Sequence, residues 1–445
     1  MPQRRRRRRP KLPQQTVETS IEKLTPEGRG LAHVNGKPTF IDFALQGEQV
    51  VFQYTRTSSK YDEARAIEIL QASADRVDPP CPHFGICGGC SLQHIDTDVQ
   101  IQLKQNALLG HLQHLANIQP ETVLEPLKGP TLGYRHKARL GVKYVEKKGK
   151  VLVGFREKSS SLLADLSICK VLHPSVGEQL EDLGLLIIEL DARKTIPQIE
   201  VAISEATASL IFRHLEPLSD RDKQMLSDFA REKNLQILLQ PGGPDTIEPL
   251  WPENPESLHY FIANQNLRIE FKPTDFIQVN PVINQQMIDR TLEFMDLRDS
   301  DTVLDLFCGL GNFTLPMAKQ AKKVTGVEGA EVMVVKARDN AALNTINNVE
   351  FFAADLSKDL SGYPWLNHLY DKILLDPPRS GAMEMLGHLK ALKAKRIVYV
   401  SCNPVTLARD ANVLVNDFGY RLSAAGVMDM FPHTAHVESI AVFDL

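Results

Sequence analysis

Two short runs near the C-terminus carry side chains that could do covalent chemistry. They are Asp376–Arg379 (DPPR) and Ser401–Pro404 (SCNP), and each directly follows an apolar run that predicts a β-strand. A single cysteine at a strand end is commonly a small buried apolar residue. With Asp-Pro-Pro upstream and Asn-Pro directly behind it, Cys402 is better interpreted as a nucleophile whose thiolate attacks a substrate.

The residue after the two prolines indicates what the thiolate attacks. Enzymes that methylate exocyclic amines have an aromatic residue there to stack the base, and they need no nucleophile; this chain has Arg379. That difference favours a carbon as methyl acceptor, such as C5 of a pyrimidine, which becomes nucleophilic once a thiolate has added to C6. A base must then remove the C5 proton, and we expect Glu438 to do so. A solvated strand residue is the alternative for Glu438, and His433 and His436 could equally serve in packing or hydrogen bonding.

The elements that must position these groups begin at about Phe261, where strands and helices alternate. Helices are predicted between the first five strands, so the pattern predicts a doubly wound, mainly parallel α/β sheet. The predicted strands are Thr302–Phe307, Lys323–Val327, Val349–Ala353, Lys372–Leu375, Arg396–Val400 and Tyr420–Asp429.

Each of the first five strands ends next to a polar or reactive residue, at the edge where an α/β sheet binds its ligands. A glycine-containing loop follows the first strand, and Glu328, Asp355, Asp376 and Cys402 follow the next four. Glu328 lies 19 residues after Gly309, at the distance where an acidic side chain can bind ribose hydroxyls.

The glycine loop favours S-adenosylmethionine over a dinucleotide. Its third glycine is replaced by Thr314, and Pro316 follows, so a tight pyrophosphate turn is not encoded. Asp305, just before the glycines, suits the ammonium and sulfonium groups of S-adenosylmethionine. A nucleotide-dependent oxidoreductase is the alternative.

The N-terminal half predicts two further domains. Short strands separated by turn residues predict a five-stranded OB-type barrel within residues 14–73, with strands at Thr16–Leu24, Thr39–Phe43, Gln49–Thr57 and Ala64–Leu70. A central α+β domain is expected at 78–257, with one helix at 96–118, and the catalytic domain at 261–445. Residues 1–13, with the run Arg4–Arg9, are expected to form a disordered basic arm that polyanions attract.

Four cysteines outside the catalytic runs could bind a metal. Cys81, Cys87 and Cys90 have x5 and x2 spacings, and Cys169 could be a remote fourth ligand. Zinc sites usually show two short Cys-x2-Cys spacings, so this pattern favours an iron–sulfur cluster slightly over zinc.

Together these motifs resemble the RNA uracil-5-methyltransferase family over nearly the whole chain. The resemblance implies a TRAM barrel at the N-terminus, a [4Fe–4S] cluster on the four cysteines, and a Rossmann-like catalytic domain that uses S-adenosyl-L-methionine. It also implies that Cys402 is the nucleophile and Glu438 the base. The cofactor-binding positions of the family fall on Gln278, Phe307, Asn312, Glu328, Asp355 and Asp376. Asp355 stands where relatives are expected to have Asn, but either can hydrogen-bond adenine.

Within that family, a barrel together with a cluster favours 23S ribosomal RNA as the substrate, with the target uridine flipped out of its stack. The basic segment 134–139 could contact RNA phosphates or form a solvated strand. No apolar run is long enough to cross a membrane, so we expect a cytoplasmic protein. We also expect a monomer without an obligate protein partner. Alternatives are a transfer RNA uridine-C5 enzyme, an RNA cytosine-C5 enzyme and a non-catalytic RNA-binding or ribosome assembly factor.

Overall fold

The structure is a computed structural model that describes residues 12–13, 15–358 and 360–445. The predicted arm lies outside the described residues, apart from residues 12 and 13. The chain divides into two units, one running up to Leu103 and including His433–Ala435, the other comprising Lys104–Pro432 and His436–Leu445. Within the described ranges, no helix is both long enough and apolar enough to span a bilayer.

The first unit contains a six-stranded sheet. Its strands are Val17–Ser20 (β1), Lys23–Leu24 (β2), Gly30–Val34 (β3), Lys37–Asp42 (β4), Gln49–Thr57 (β5) and Asp62–Gln71 (β6). They are arranged in the order β1-β5-β6-β4-β3-β2 around a small core that includes Ile41, Val50 and Phe52. Three predicted strands are confirmed as β4, β5 and β6, whereas the predicted strand Thr16–Leu24 divides into β1 and β2, so the described residues form six strands in this sheet rather than five. Strand β3 was not predicted. It pairs with β4 through Asn35 and Gly36, both at positive φ as a two-residue hairpin turn requires.

The predicted helix at 96–118 is confirmed as α1 (Thr97–His111), which continues as one π-helical turn to Ala116. It ends at Asn117, whose φ of 54° is left-handed and stops the helix. A two-residue strand, Thr122–Val123 (β7), follows.

The second unit contains a six-stranded mixed sheet in the order β13-β12-β11-β10-β8-β9. Its strands are Lys137–Val145 (β8), Lys150–Gly154 (β9), Gln198–Ile203 (β10), Ala208–Arg213 (β11), Leu235–Gln240 (β12) and Glu248–Trp251 (β13). The helices along this part of the chain are Pro174–Gly177 (α2), Leu180–Glu189 (α3) and Asp220–Lys233 (α4). A two-stranded hairpin comes next, formed by Leu258–Ile262 (β14) and Leu267–Phe271 (β15).

The same unit contains an eight-stranded sheet in the order β18-β17-β16-β19-β20-β22-β21-β7. Its strands are Thr302–Leu306 (β16), Lys323–Glu328 (β17), Val349–Ala353 (β18), Lys372–Leu375 (β19), Arg396–Ser401 (β20), Arg421–Met428 (β21) and Glu438–Asp444 (β22), with β7 at the edge. The accompanying helices are Pro281–Met295 (α5), Thr314–Ala318 (α6), Glu331–Leu343 (α7), Met383–Leu392 (α8) and Pro404–Asn412 (α9).

The predicted doubly wound sheet is confirmed, because β16 to β20 are all parallel. One predicted helix is wrong. The described residues between β18 and β19 form a 3₁₀ turn at Pro364–Asn367 instead of an α-helix. Strand β22 was not predicted either. It lies antiparallel between β20 and β21. The chain winds outward from β16 in both directions, so the crevice for a ligand opens at the carboxyl ends of β16 and β19.

Candidate active site

Seven of the eight predicted catalytic and cofactor-binding residues line one cavity of about 760 Å³ in the second unit. They come from the ends of strands β16, β17, β19 and β20, from the start of β22 and from the segment before α5. They are Gln278, Phe307, Asn312, Glu328, Asp376, Cys402 and Glu438.

The loop after β16 turns sharply around the cavity. Phe307, Gly309 and Gly311 all have left-handed φ values, of 67°, 54° and 90°. The Glu328 carboxylate accepts the backbone N–H groups of Gly309 at 3.1 Å and Gly329 at 2.8 Å. The carboxylate therefore ties the end of β17 to the loop after β16, and it borders the cavity.

Asn312 is held in one orientation by two partners. Its amide and that of Asn284 on α5 bond in both directions, at 3.1 and 2.9 Å, and the Tyr260 hydroxyl donates to the Asn312 oxygen at 2.9 Å. Burial raises the pKa of Tyr260, so this hydroxyl keeps its proton and remains a donor. Tyr260 lines the cavity although sequence reasoning did not identify it.

The segment that contains Gln278 is anchored by two lysines. Asp275 is buried and forms an ion pair with Lys336 on α7. Lys137 on β8 donates to the backbone carbonyls of Pro273, at 2.8 Å, and of Asp275. Burial lowers the pKa of Lys137 to about 8. These contacts fix the backbone that presents Gln278 to the cavity.

Two buried acidic side chains lie on neighbouring strands here: Asp376 follows β19 and lines the cavity, and Asp305 lies on β16 outside the described cavity lining. Thr314 donates its hydroxyl to the buried Asp305 carboxyl at 2.5 Å, and burial raises the pKa of Asp305 to about 8. Removal from water also raises the pKa of Asp376 to about 7. A cation bound beside these carboxyl groups would favour their ionised forms and so lower both pKa values. A sulfonium group carries a positive charge of this kind.

Cys402 is half-buried just after β20, two residues before α9 begins. Asn403 caps α9 by accepting the Val405 N–H at 3.1 Å, and its amide donates to the Arg379 carbonyl at 3.0 Å. Burial raises the pKa of Cys402 to about 11, and the nearby charges of Glu438 and Asp376 add to the shift while Arg379 opposes them. The resting thiol is therefore protonated.

Glu438 is buried at the start of β22 and lines the same cavity. Burial raises its pKa to about 8, and the charge of Asp376 adds to the shift. Beside it, the Arg379 guanidinium donates to Nδ1 of His436 at 2.6 Å. Burial and then Arg379 lower the pKa of His436, which keeps its imidazole neutral and able to accept this bond. His433, in contrast, belongs to the first unit, where its backbone N–H bonds to Gln100.

Asp355 is the predicted cofactor residue that is absent from the described cavity lining. Its exposed carboxylate accepts the Ser357 hydroxyl at 2.6 Å and pairs with Lys358 at 2.9 Å. The Ser357 bond and then Lys358 lower the pKa of Asp355 to about 2. Its contact with adenine stays a prediction.

The four predicted metal-binding cysteines lie in different units. Cys81, Cys87 and Cys90 are half-buried in one loop of the first unit, where the Cys87 sulfur accepts the Gly89 N–H at 3.4 Å. Cys169 is half-buried in the second unit, and its N–H donates to the carbonyl of Gly177. In the part of the chain that the structure describes, no three His, Cys, Asp or Glu side chains are grouped to hold a metal ion.

Comparison with known proteins assigns this chain to a family. Residues 254–444 match the family tRNA (Uracil-5-)-methyltransferase, and residues 10–67 match the TRAM domain. The 23S rRNA (uracil(1939)-C(5))-methyltransferase RlmD of Alcanivorax borkumensis is 52% identical over 439 residues, which is 98% of each chain. RlmD of Methylococcus capsulatus is 49% identical over 99% of each chain.

The chain belongs to the RlmD family of 23S rRNA uracil-C5 methyltransferases. A solved structure, that of the Pyrococcus abyssi tRNA (uracil-54, C5)-methyltransferase in complex with S-adenosyl-L-homocysteine, shares its fold. That structure covers 96% of this chain and all of its own, with a TM-score of 0.72 and 23% identity. The predicted TRAM domain and the predicted S-adenosylmethionine-dependent methyltransferase fold are confirmed, as is the RNA uracil-C5 methyltransferase class.

Membership of the RlmD family does not by itself explain the basic segment 134–139. Tyr134 is buried and donates to the Pro432 carbonyl, and Lys137 is used internally. Arg135 lines the cavity, and Arg139 is exposed beside Glu200. Arg139 forms an ion pair with Glu200 at 2.9 Å, and a contact of either arginine with RNA phosphates stays a prediction. The sequence offered no signal that singled out Arg135, because its position depends on contacts between distant parts of the chain.

Proposed function

We propose that this chain transfers a methyl group from S-adenosyl-L-methionine to C5 of a uridine in 23S ribosomal RNA, the one that its relatives' names place at position 1939. The observation that supports this most directly is the meeting of Cys402, Glu438 and Asp376 in one cavity at the carboxyl ends of a parallel sheet.

The methyl donor would be bound by Gln278, Phe307, Asn312, Glu328 and Asp376, with Asp355 at the adenine, and it supplies an electrophilic methyl group on a sulfonium. Cys402 adds as the thiolate to uracil C6, and the electron pair of the C5=C6 bond moves onto the O4 carbonyl. C5 would then take the methyl group with the electrons of this enolate, while the bond from the donor's sulfur to the methyl carbon breaks and its electron pair stays on sulfur, which leaves S-adenosyl-L-homocysteine.

Glu438 completes the reaction as the base. It removes the proton from C5, and the electron pair of that C–H bond re-forms C5=C6 as the bond from sulfur to C6 breaks. The thiolate of Cys402 is thereby regenerated. The carboxylate must be ionised for this step. Burial raises its pKa to about 8, so once it has lost its proton it is a stronger base than an exposed glutamate.

The electrostatics link cofactor binding to activation. Cys402 and Glu438 both have raised pKa values, caused first by burial and then by neighbouring negative charge. A cationic donor beside Asp376 would offset that charge and lower both pKa values. We infer that a bound methyl donor favours ionisation of the thiol.

The substrate has to enter as an unstacked base. The cavity lies at the rim of the sheet with Cys402 and Glu438 in its lining, and a base inside a duplex could not reach them. The enzyme would therefore act on a loop or single-stranded segment and flip its target uridine.

The test is covalent trapping with an RNA transcript that contains 5-fluorouridine. Fluorine at C5 cannot be removed as a proton, so the adduct should persist on a denaturing gel and map to the Cys402 peptide. Cys402→Ala should not form the adduct, because it lacks the thiol that adds to C6. Absence of an adduct from the wild-type protein under turnover conditions would overturn the proposal. Release of tritium from C5-labelled cytosine instead of uracil would identify the cytosine enzyme.

We also propose that Cys81, Cys87, Cys90 and Cys169 hold a [4Fe–4S] cluster. The support is the irregular spacing, the half-buried state of all four cysteines and the N–H bond to the Cys87 sulfur. The described side chains do not form a ready-made ligand group, so no catalytic step is assigned to the cluster. Iron with acid-labile sulfide in the purified protein, lost in Cys87→Ser, would support it, whereas stoichiometric zinc would overturn it.

The remaining expectations follow the same proposal. A ribosomal RNA substrate implies a cytoplasmic location, and the TRAM domain would help to hold the RNA. The predicted boundaries at 14–73, 78–257 and 261–445 and the monomeric state stay predictions.

A further inference from the structure

Helix α9 and its cap contact the loop after Asp376 through a row of polar side chains. The carbonyl of Arg379 accepts bonds from Asn403 at 3.0 Å and from the Thr406 hydroxyl at 3.3 Å. One turn further on, Arg409 donates to the carbonyl of Ser380 at 2.8 Å. The three donors lie on one face of the helix, since they are three apart in sequence.

A buried carboxylate completes this set of contacts. Asp410 is fully buried, and one of its oxygens accepts the Ala382 N–H at 2.7 Å and the Tyr399 hydroxyl at 2.7 Å. Its other oxygen accepts Nε of Arg409 at 2.8 Å. The carboxylate thus connects β20, α9 and the loop before α8.

The close approach depends on a glycine. Gly381 has a φ of 81°, and a Cβ atom there would lie 2.6 Å from the Arg409 guanidinium and 2.6 Å from the Asp410 carboxylate. A side chain at this position would therefore push the loop away from α9, in addition to the strain of the left-handed backbone.

The geometry points to a positioning role for Asp410 and Arg409. Helix α9 starts two residues after Cys402, and the loop that it holds carries Asp376 at one end and Arg379 in its middle. We propose that this network, the Asp410 network (Arg409, Asp410, Tyr399 and Gly381), fixes the distance between the Cys402 thiol and the cavity residues of the loop. Asp410 acts through the Ala382 N–H and does not touch substrate.

This inference rests on the proposed function, in which Cys402 is the nucleophile. Orientation matters at that step because a displacement of about 1 Å between reacting groups can lower a rate roughly 100-fold. The network should therefore affect kcat and adduct formation more than the binding of the methyl donor, which also uses residues on β16 and β17.

A pair of glycine substitutions separates positioning from stability. Gly381→Ala and Gly419→Ala both place alanine at nearly the same left-handed φ, 81° and 82°, but at Gly419 no atom lies within 4 Å of the new Cβ. We expect Gly381→Ala to lower kcat roughly 100-fold with the KM for S-adenosylmethionine within about threefold of wild type. Gly419→Ala adds only the backbone strain, so it should lower the melting temperature less than Gly381→Ala does and leave kcat unchanged at a temperature where both variants are folded.

Two further variants serve if Gly381→Ala does not fold. Asp410→Asn replaces an acceptor oxygen with a donor that faces donors, and Arg409→Lys removes the contact with Ser380 at a partly exposed site. Each should slow trapping of 5-fluorouridine RNA about tenfold or more. If the wild type forms the adduct and these variants form it at the same rate, the positioning role is wrong. If the wild type forms none, the proposed function itself fails.

Discussion

Two carboxylates of the second unit, Asp410 on α9 and Glu438 on β22, are both buried and yet differ in how their charge is compensated. Asp410 accepts hydrogen bonds from Tyr399, Ala382 and Arg409, so its negative charge is neutralised where it lies. Glu438 borders the cavity, and its pKa is raised to about 8 by burial and by Asp376, with only Arg379 opposing. A compensated charge stabilises a fixed arrangement, whereas an undercompensated one is reactive.

This contrast explains how a rigid arrangement around Asp410 and a reactive one around Glu438 can occur in the same unit. Around Asp410, every contact holds neighbouring elements in place, and none requires a change of protonation. Around Glu438, negative charge accumulates: Asp376 raises the pKa of Glu438, and both raise the pKa of Cys402. Such sites cost stability and are retained for chemistry.

The largest expected effect comes from removing the nucleophile. Cys402→Ala should lower the rate of methyl transfer on the order of 10⁶-fold, which is the size of effect that loss of a covalent nucleophile can have. RNA binding, measured by filter retention at fixed salt, should be unchanged because the thiol is half-buried and uncharged. Residual turnover close to wild type would show that Cys402 is not the nucleophile.

Removing the base should be milder and should leave a visible intermediate. Glu438→Gln should slow turnover roughly 10²- to 10⁴-fold, because the methylated adduct cannot lose its C5 proton. The variant should therefore accumulate a covalent complex with ordinary uridine RNA, seen on a denaturing gel. If turnover is slow but no such complex accumulates, Glu438 acts in a step before methyl transfer and not in the removal of the C5 proton after it.

The thiol itself reports the negative charge around it. Glu438 contributes to the raised pKa of Cys402, so Glu438→Gln should lower that pKa and speed alkylation of the Cys402 peptide by iodoacetamide at about pH 8. A shift of one unit corresponds to about tenfold. Arg379→Met should slow alkylation, since Arg379 lowers the pKa of the thiol. If both substitutions change the rate of Cys402 alkylation in the same direction, this electrostatic explanation is wrong.

The sequence predicted the reactive half of this comparison better than the compensated half. Cys402, Asp376 and Glu328 could be found because strand ends in a parallel sheet meet at one edge. The strand that carries Glu438 was not recognised, because β22 follows an irregular stretch and pairs antiparallel inside the sheet.

The positioning contacts were not predictable from local pattern. The bonds from Ala382 to Asp410 and from Lys137 to Pro273 join residues 28 and 136 positions apart. Turn residues did reveal local structure elsewhere in the chain, but the partners of a buried polar group depend on the whole fold. The helix predicted between β18 and β19 failed for a related reason, since alternation along the chain does not require every crossover to be helical.

The smallest expected effect is on stability, and its pH dependence distinguishes the two carboxylates. Because the folded-state pKa of Glu438 is raised to about 8 from an ordinary value of 4.5, its folded form binds a proton that the unfolded chain releases above pH 4.5. Folding stability therefore falls as pH rises between about 4.5 and 8, and Glu438→Gln removes that fall. We expect the variant to match wild type near the low end of this range and to be more stable at the high end.

Asp410→Asn should instead lose stability at both ends of this range, because one of the two oxygens that accept these bonds becomes an amide group that faces a donor. Melting curves of wild type and the two variants at about pH 5 and about pH 8 test this. If Asp410→Asn is also more stable than wild type at the higher pH, the distinction between the two carboxylates is wrong. Both would then carry a buried charge that is not compensated and that lowers the stability of the fold.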